Sequence, residues 1–187
     1  MISYYICSAL KPAVPYLFLL SIAVSFLTSC VGEKNLVTYT FEQGNKRKIW
    51  SFAGDSSKHK LVREEVYSAS NKKLSELNFS RGFLEGPSLV FWENGLLKEE
   101  CKYSKGKKNG IFRQYDSKGR LLLEGELKNG SKGGVWTTWY DDTQKEEERS
   151  YVNDVLHGKY TYWYIDGALK KEEFYENGKK VKETIYQ

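Results

Sequence analysis

Two histidines and three cysteines are all that this 187-residue chain offers to borderline or soft metals. No Cys-x-x-Cys or His-x-x-x-His spacing joins them, so the usual ligand patterns of a zinc centre are excluded. Neither a Gly-x-Ser-x-Gly elbow nor a glycine loop of phosphate-cradling spacing is present, which removes two common enzyme signatures. The acidic run from Asp141-Asp142 to Glu146-Glu147-Glu148 lacks the ordered oxygen ligands of a calcium loop and reads as a solvated turn and strand. Bases exceed acids only mildly, 29 to 24, which does not mark a nucleic-acid binder. Sustained helical periodicity is missing from the C-terminal domain. The expectation is a non-enzymatic all-β protein with no metal, no cofactor and no nucleic-acid partner.

The first 29 residues lack any acid and carry one base, Lys11. An apolar run from Val14 to Leu27 follows, broken by Pro15, Ser21 and Ser25. It falls short of the roughly 20 residues that span a bilayer and reads as the core of a secretory signal peptide, residues 1–29. It ends in Leu27-Thr28-Ser29-Cys30, which resembles a bacterial lipobox. The resemblance implies cleavage before Cys30, a diacylglycerol on its sulfur and a cell-envelope location, with residues 30–36 as a short tether. Val31 stands where aspartate would signal inner-membrane retention in enteric bacteria, so the resemblance favours the outer membrane. With Cys7 removed and Cys30 lipidated, Cys101 is left alone, no disulfide forms in the mature chain, and Cys101 reads as a small apolar filler.

Beyond residue 61 the chain repeats every 24 residues. Glycine recurs at Gly86, Gly110, Gly134 and Gly158, and glutamate at Glu76, Glu100, Glu124, Glu148 and Glu172. One ring column runs Tyr67, Phe91, Tyr115, Trp139, Trp163, and a large apolar column runs Phe79, Tyr103, Leu127, Tyr151, Tyr175. Four columns in one register mean stacked supersecondary units, here 62–85, 86–109, 110–133, 134–157 and 158–181. Each unit holds two strand-like segments rich in β-branched and aromatic residues. One turn joins them (Asn94-Gly95, Lys118-Gly119, Asp166-Gly167), and another, at Gly82, Gly106, Gly130 and Gly178, leads onward. Asn-Gly and Asp-Gly tolerate the positive φ that a tight hairpin demands of its central residues. Thr143 and Asp154 replace two turn residues in the unit 134–157, which predicts altered turn types there. Residues 37–61 read as capping strands, and the tail 182–187 as the start of a further strand.

Lone hairpins are unstable, whereas hairpins side by side form a continuous sheet. The glutamate column reads as a solvated, salt-laced stripe, with Lys98, Lys102, Lys128, Lys170 and Lys171 near enough in sequence to compensate it. His59 and His157 fall in turns. The pattern Gly-x-aromatic-x-x-aromatic-(Tyr/Trp)-x-(Asn/Asp)-Gly, then Glu-x-x-Tyr-x-Asn-Gly, resembles the bacterial variant of the MORN repeat over residues 86–181. The resemblance implies an elongated single-layer antiparallel sheet and a binding or scaffolding role. Some bacterial relatives are labelled antitoxins, and eukaryotic ones have been linked to phospholipid.

Alternation places Tyr160, Tyr162 and Tyr164 on one face, with Trp92, Trp136 and Tyr140 in the same phase. These six rings form the candidate binding surface, since amphipathic rings that reach the surface serve as contact anchors. The expected function is a lipid-anchored module that binds a protein or glycan partner. The alternatives are an immunity-type protein against a secreted toxin and a cell-wall glycan binder.

Overall fold

The computed structural model describes residues 36–54, 60–141 and 143–187. The signal peptide, Cys30, most of the tether and His59 lie outside the described residues. Fourteen strands follow in order, and no helix occurs among the described residues. They are β1 (Leu36–Gln43), β2 (Lys46–Ala53), β3 (Lys60–Ser68), β4 (Lys73–Ser80), β5 (Phe83–Phe91), β6 (Leu97–Ser104), β7 (Lys107–Lys108) and β8 (Gly110–Tyr115). The series continues with β9 (Leu121–Lys128), β10 (Ser131–Trp139), β11 (Lys145–Val152), β12 (Val155–Trp163), β13 (Leu169–Glu176) and β14 (Lys179–Ile185). Each pairs antiparallel with its chain neighbour in one open sheet, with the two-residue β7 beside β6. At about 4.8 Å per strand the sheet extends for about 60 Å across its strands.

The turns divide into two kinds, each with its own chemistry. Arg81-Gly82, Lys105-Gly106, Asn129-Gly130, Asn153-Asp154 and Asn177-Gly178 all have both residues at positive φ, the type I′ geometry that matches the strand twist. At Asn94-Gly95 only the glycine has positive φ. Gly95 N–H donates to Trp92 O at 2.9 Å and Trp92 N–H to Leu96 O at 2.8 Å, so this loop is a type I turn closed by a glycine bulge. The two substituted turns depart less than the sequence predicts. Asn153-Asp154 keeps positive φ at both positions, because Asn and Asp tolerate the left-handed region. Around Thr143 the Tyr140 N–H to Gln144 O bond survives at 3.0 Å, and the Asp141 carboxylate accepts from Thr143 N–H and Gln144 N–H at 2.9 Å each.

Neighbouring hairpins lock together through these turns. Gly106, Gly130, Asp154 and Gly178 each donate a backbone N–H to a carbonyl 22 residues earlier, at Leu84, Lys108, Lys132 and Leu156. Side chains of Glu85, Asn109 and His157 accept from the N–H of Lys105, Asn129 and Asn177. His157 lies in β12, not in the turn that the sequence predicts, and its side chain ties one hairpin to the next. Gly86, Gly134 and Gly158 open the sequence units but lie inside strands, with positive φ and register shifts beside them, so they are bulge residues, whereas Gly110, also at positive φ, begins β8. The structural hairpin therefore starts about three residues earlier than the sequence unit, and β14 begins at Lys179 instead of 182.

Pairing sorts the side chains onto two faces. One carries the row Glu76, Leu89, Glu100, Arg113, Glu124, Thr137, Glu148, Thr161, Glu172. Intervening strands keep the carboxylates two strands apart, and Lys73, Arg113, Lys145 and Lys159 pair with them. These are not the cations that sequence proximity suggests. Lys98, Lys170 and Lys171 instead lie over Trp92, Tyr164 and Tyr162 on the opposite face, at 4.3, 5.3 and 4.3 Å from the ring centroids.

That opposite face holds the core: Cys101, Phe112, Leu127 and Trp136, with Tyr103, Leu123 and Tyr151 against them. A single layer has no second sheet to cover these groups. Lysine stems lie across them instead, Lys132 over Trp136 and Tyr151 at 4.5 and 5.1 Å, and Lys108 over Phe112 at 4.7 Å. Burial raises the pKa of the Cys101 thiol, in keeping with a packing role.

Candidate binding surface

All six candidate rings lie on the core face, but they do different work. Trp136 is in the core, 4% exposed, and offers no contact area. Its indole lies flat over Gly125 and tilts at 32° against Phe112, with ring centroids 5.7 Å apart. Periodicity gave the right face for Trp136 but carried no sign that the neighbouring strand has a glycine beneath it. Trp92 is half-buried, and its Nε1–H donates to Tyr115 O at 3.1 Å. Two hairpins separate Trp92 from Tyr140, roughly 19 Å at the usual strand spacing, so it stands apart from the other rings.

Tyr140, Tyr160, Tyr162 and Tyr164 do come together. Tyr160 stacks on Tyr162 at 4.1 Å and 20°. Tyr160 donates its hydroxyl to Glu147 at 2.9 Å, and Tyr162 donates to Glu173 at 3.1 Å. Burial pushes the Tyr160 hydroxyl up to about 12, and burial with the Tyr160 contact raises Tyr162 further still. Both phenols therefore stay neutral donors at physiological pH. Tyr140 and Tyr164 are 37% and 45% exposed, and Tyr140 donates its hydroxyl to Trp163 O at 3.2 Å.

Beneath them is a charged network that sequence inspection missed. Glu173 is 3% exposed and accepts from Lys171 (3.0 Å), Lys180 (3.2 Å), Tyr162 and Tyr175 (3.1 Å each). Burial opposes its ionisation, but the hydrogen bonds from Lys171, Lys180, Tyr175 and Tyr162 prevail and bring its carboxyl down to about 2. Arg149 lies 5.3 Å over the Tyr160 ring and pairs with Glu147. These contacts fix the orientation of the Tyr160–Tyr162 platform.

Above the network is an open hollow of about 460 Å³, bounded by Tyr140, Tyr162, Tyr164, Glu146, Lys170 and Ile185. Glu146 and Lys170 are the extra residues at two strand bulges, one opposite β10 and one opposite β12. Bulges re-aim side chains, and here each brings a charge to the rim. The same column holds Lys98 and Leu122 in earlier units. Its variability was a usable signal for these two positions. Among the described residues no group of three or more His, Cys, Asp or Glu is placed to hold a metal ion.

The fold and this surface define a class: an open antiparallel sheet of repeating β-hairpins with one tyrosine-lined end on its core face. No family model matches the chain. No curated protein matches it in sequence either.

Proposed function

We propose that this chain is a membrane-anchored lipoprotein whose MORN-like hairpin sheet binds another macromolecule of the cell envelope. The observation that carries the reading is the cluster of Tyr140, Tyr162 and Tyr164 around a hollow on a cross-braced sheet. Tyr140 and Tyr162, held by fixed hydrogen bonds, lose little side-chain entropy on contact, which suits them as anchors. The anchor rests on Leu27-Thr28-Ser29-Cys30. The sheet begins at Leu36, so lipid on Cys30 would hold it close to the bilayer.

A photo-crosslinking amino acid at Ile165, a 73% exposed turn residue beside Tyr164, tests the binding role in intact envelopes. A discrete adduct supports it, and recovery of bulk lipid alone overturns it. Fractionation tests the anchor: the chain should sediment with membranes and Cys30→Ser should release it. A wild-type chain found in the soluble fraction would sink that part.

A further inference from the structure

The charges left unpaired around the hollow point to a particular ligand chemistry. Most polar groups nearby are engaged: Glu147 by Arg149 and Tyr160, Glu183 by Lys180, and Lys171 by Glu173. Three lining groups are not. Glu146 has no hydrogen-bond or ion-pair partner among the described residues. Lys170 has only the Tyr164 ring beneath its ammonium, at 5.3 Å. The Tyr164 hydroxyl likewise has no partner among the described residues. The hollow thus offers one free acceptor, one free cationic donor and one free hydroxyl around exposed ring faces.

Charge selects among ligands. A cation entering the hollow gains Glu146 but meets Lys170 and Lys171, and an anion meets Glu146, Glu147 and Glu183. A neutral ligand with an apolar face and a rim of hydroxyls avoids both conflicts. Its C–H face covers a tyrosine ring while its hydroxyls donate to the Glu146 carboxylate and accept from the Lys170 ammonium. A hexopyranose has this two-sided character. The volume of about 460 Å³ is in the range of small-ligand sites, and an open hollow on a sheet face lets a polymer run past.

We infer that the hollow is a subsite for one segment of a neutral polysaccharide, with Tyr164 as the stacking platform, Glu146 as acceptor and Lys170 as donor. This rests on the binding role proposed above and names the chemistry of its partner. The 134–157 and 158–181 units supply Tyr164, Glu146 and Lys170, and Glu183 and Ile185 of the last strand complete the lining. In earlier units the column of Glu146 and Lys170 holds Leu122 and Lys98, and the column of Tyr140 and Tyr164 holds Asp116 and Trp92, so none of them pairs a ring with a free carboxylate.

The test uses the full chain in detergent with three soluble probes: hexamers of β-1,4-glucose, α-1,4-glucose and β-1,4-N-acetylglucosamine. Saturation-transfer NMR detects binding, and titration of tyrosine and tryptophan fluorescence gives affinity. At least one hexamer should bind. Tyr164→Ala should weaken that binding about tenfold, and Glu146→Gln should weaken it several-fold. Tyr164→Phe, which keeps the ring, should retain most of the affinity. Phe83→Ala, an exposed position at the start of β5 and far from the hollow, should leave it unchanged. Far-UV circular dichroism identifies any variant that has lost the sheet, and Tyr164→Phe reports if Tyr164→Ala has. Failure of all three hexamers, or binding indifferent to Tyr164→Ala and Glu146→Gln, overturns the assignment. A protein adduct from position 165 with no hexamer bound would remove the sugar and keep the binding role. No adduct and no hexamer bound would remove both.

Discussion

Gly125→Ala should destabilise this protein by ejecting a tryptophan that is eleven residues away in sequence. Gly125 is not at positive φ, so an alanine there meets no backbone strain. The obstacle is the indole of Trp136, which occupies the place of the missing side chain. A Cβ at position 125 would lie 2.1 Å from Cδ2 and 2.3 Å from Cε2, far inside the contact distance of about 3.5 Å. The ring must leave, and with it goes the packing of a side chain 4% exposed against Phe112 and the Lys132 stem. Removing a buried tryptophan outright costs about 3–5 kcal/mol. An alanine in a strand returns roughly 0.5–1 kcal/mol relative to glycine. The net expectation is a loss of about 2–4 kcal/mol, read as a lower urea midpoint by far-UV circular dichroism, with red-shifted indole emission. The decisive comparison is the same change made beside Trp136→Ala. With the indole gone, Gly125→Ala should be neutral or stabilising by up to about 1 kcal/mol, a coupling of at least about 2 kcal/mol. Equal destabilisation in both backgrounds would refute the reasoning.

Three further outcomes follow from the same structure. Glu173 has its folded pKa lowered from 4.5 to about 2, so its stabilisation is complete above about pH 4.5 and is lost as pH falls towards about 2. At about 1.4 kcal/mol per pKa unit this is at most about 3.5 kcal/mol. Amide exchange in β13 and β14 should quicken across that window in the wild type and show no such step in Glu173→Gln. Gly130→Ala isolates backbone strain, because φ is +95° and nothing lies within 4 Å of the added Cβ. It should cost about 1–2 kcal/mol whatever stands at 136, and an unchanged melting temperature would contradict it. Asp141→Ala removes the carboxylate that accepts from Thr143 and Gln144, so their amides should exchange faster while exchange in β12 stays as it is.

Much of the fold was legible because turn chemistry is local. Glycine, asparagine and aspartate at fixed intervals dictate where the chain reverses, and strand alternation follows between reversals. Even Asn153-Asp154, with no glycine, makes the same turn, because the φ requirement admits those residues. The glycines at 86, 110, 134 and 158 were harder to place. A bulge and a turn both favour positive φ, and only pairing with a neighbouring strand distinguishes them.

The sequence by itself determined the antiparallel hairpin array and the shared face of the six candidate rings, since both follow from two-residue alternation within a strand and the 24-residue repeat between strands. Only the tertiary structure decided which rings are covered and which are open. Trp136 is buried because Gly125 lies across from it, whereas Tyr164 is exposed because it lies just past the end of β12, at the turn edge, with Lys170 above it. Cross-strand register also took Lys98 and Lys170 away from the glutamates near them in sequence and set them over rings, while Lys171 lies over Tyr162 and pairs with Glu173. It placed Glu146 and Lys170, 24 residues apart, on one rim. Such pairings depend on through-space neighbours two strands away, and no local pattern in the chain encodes those distances.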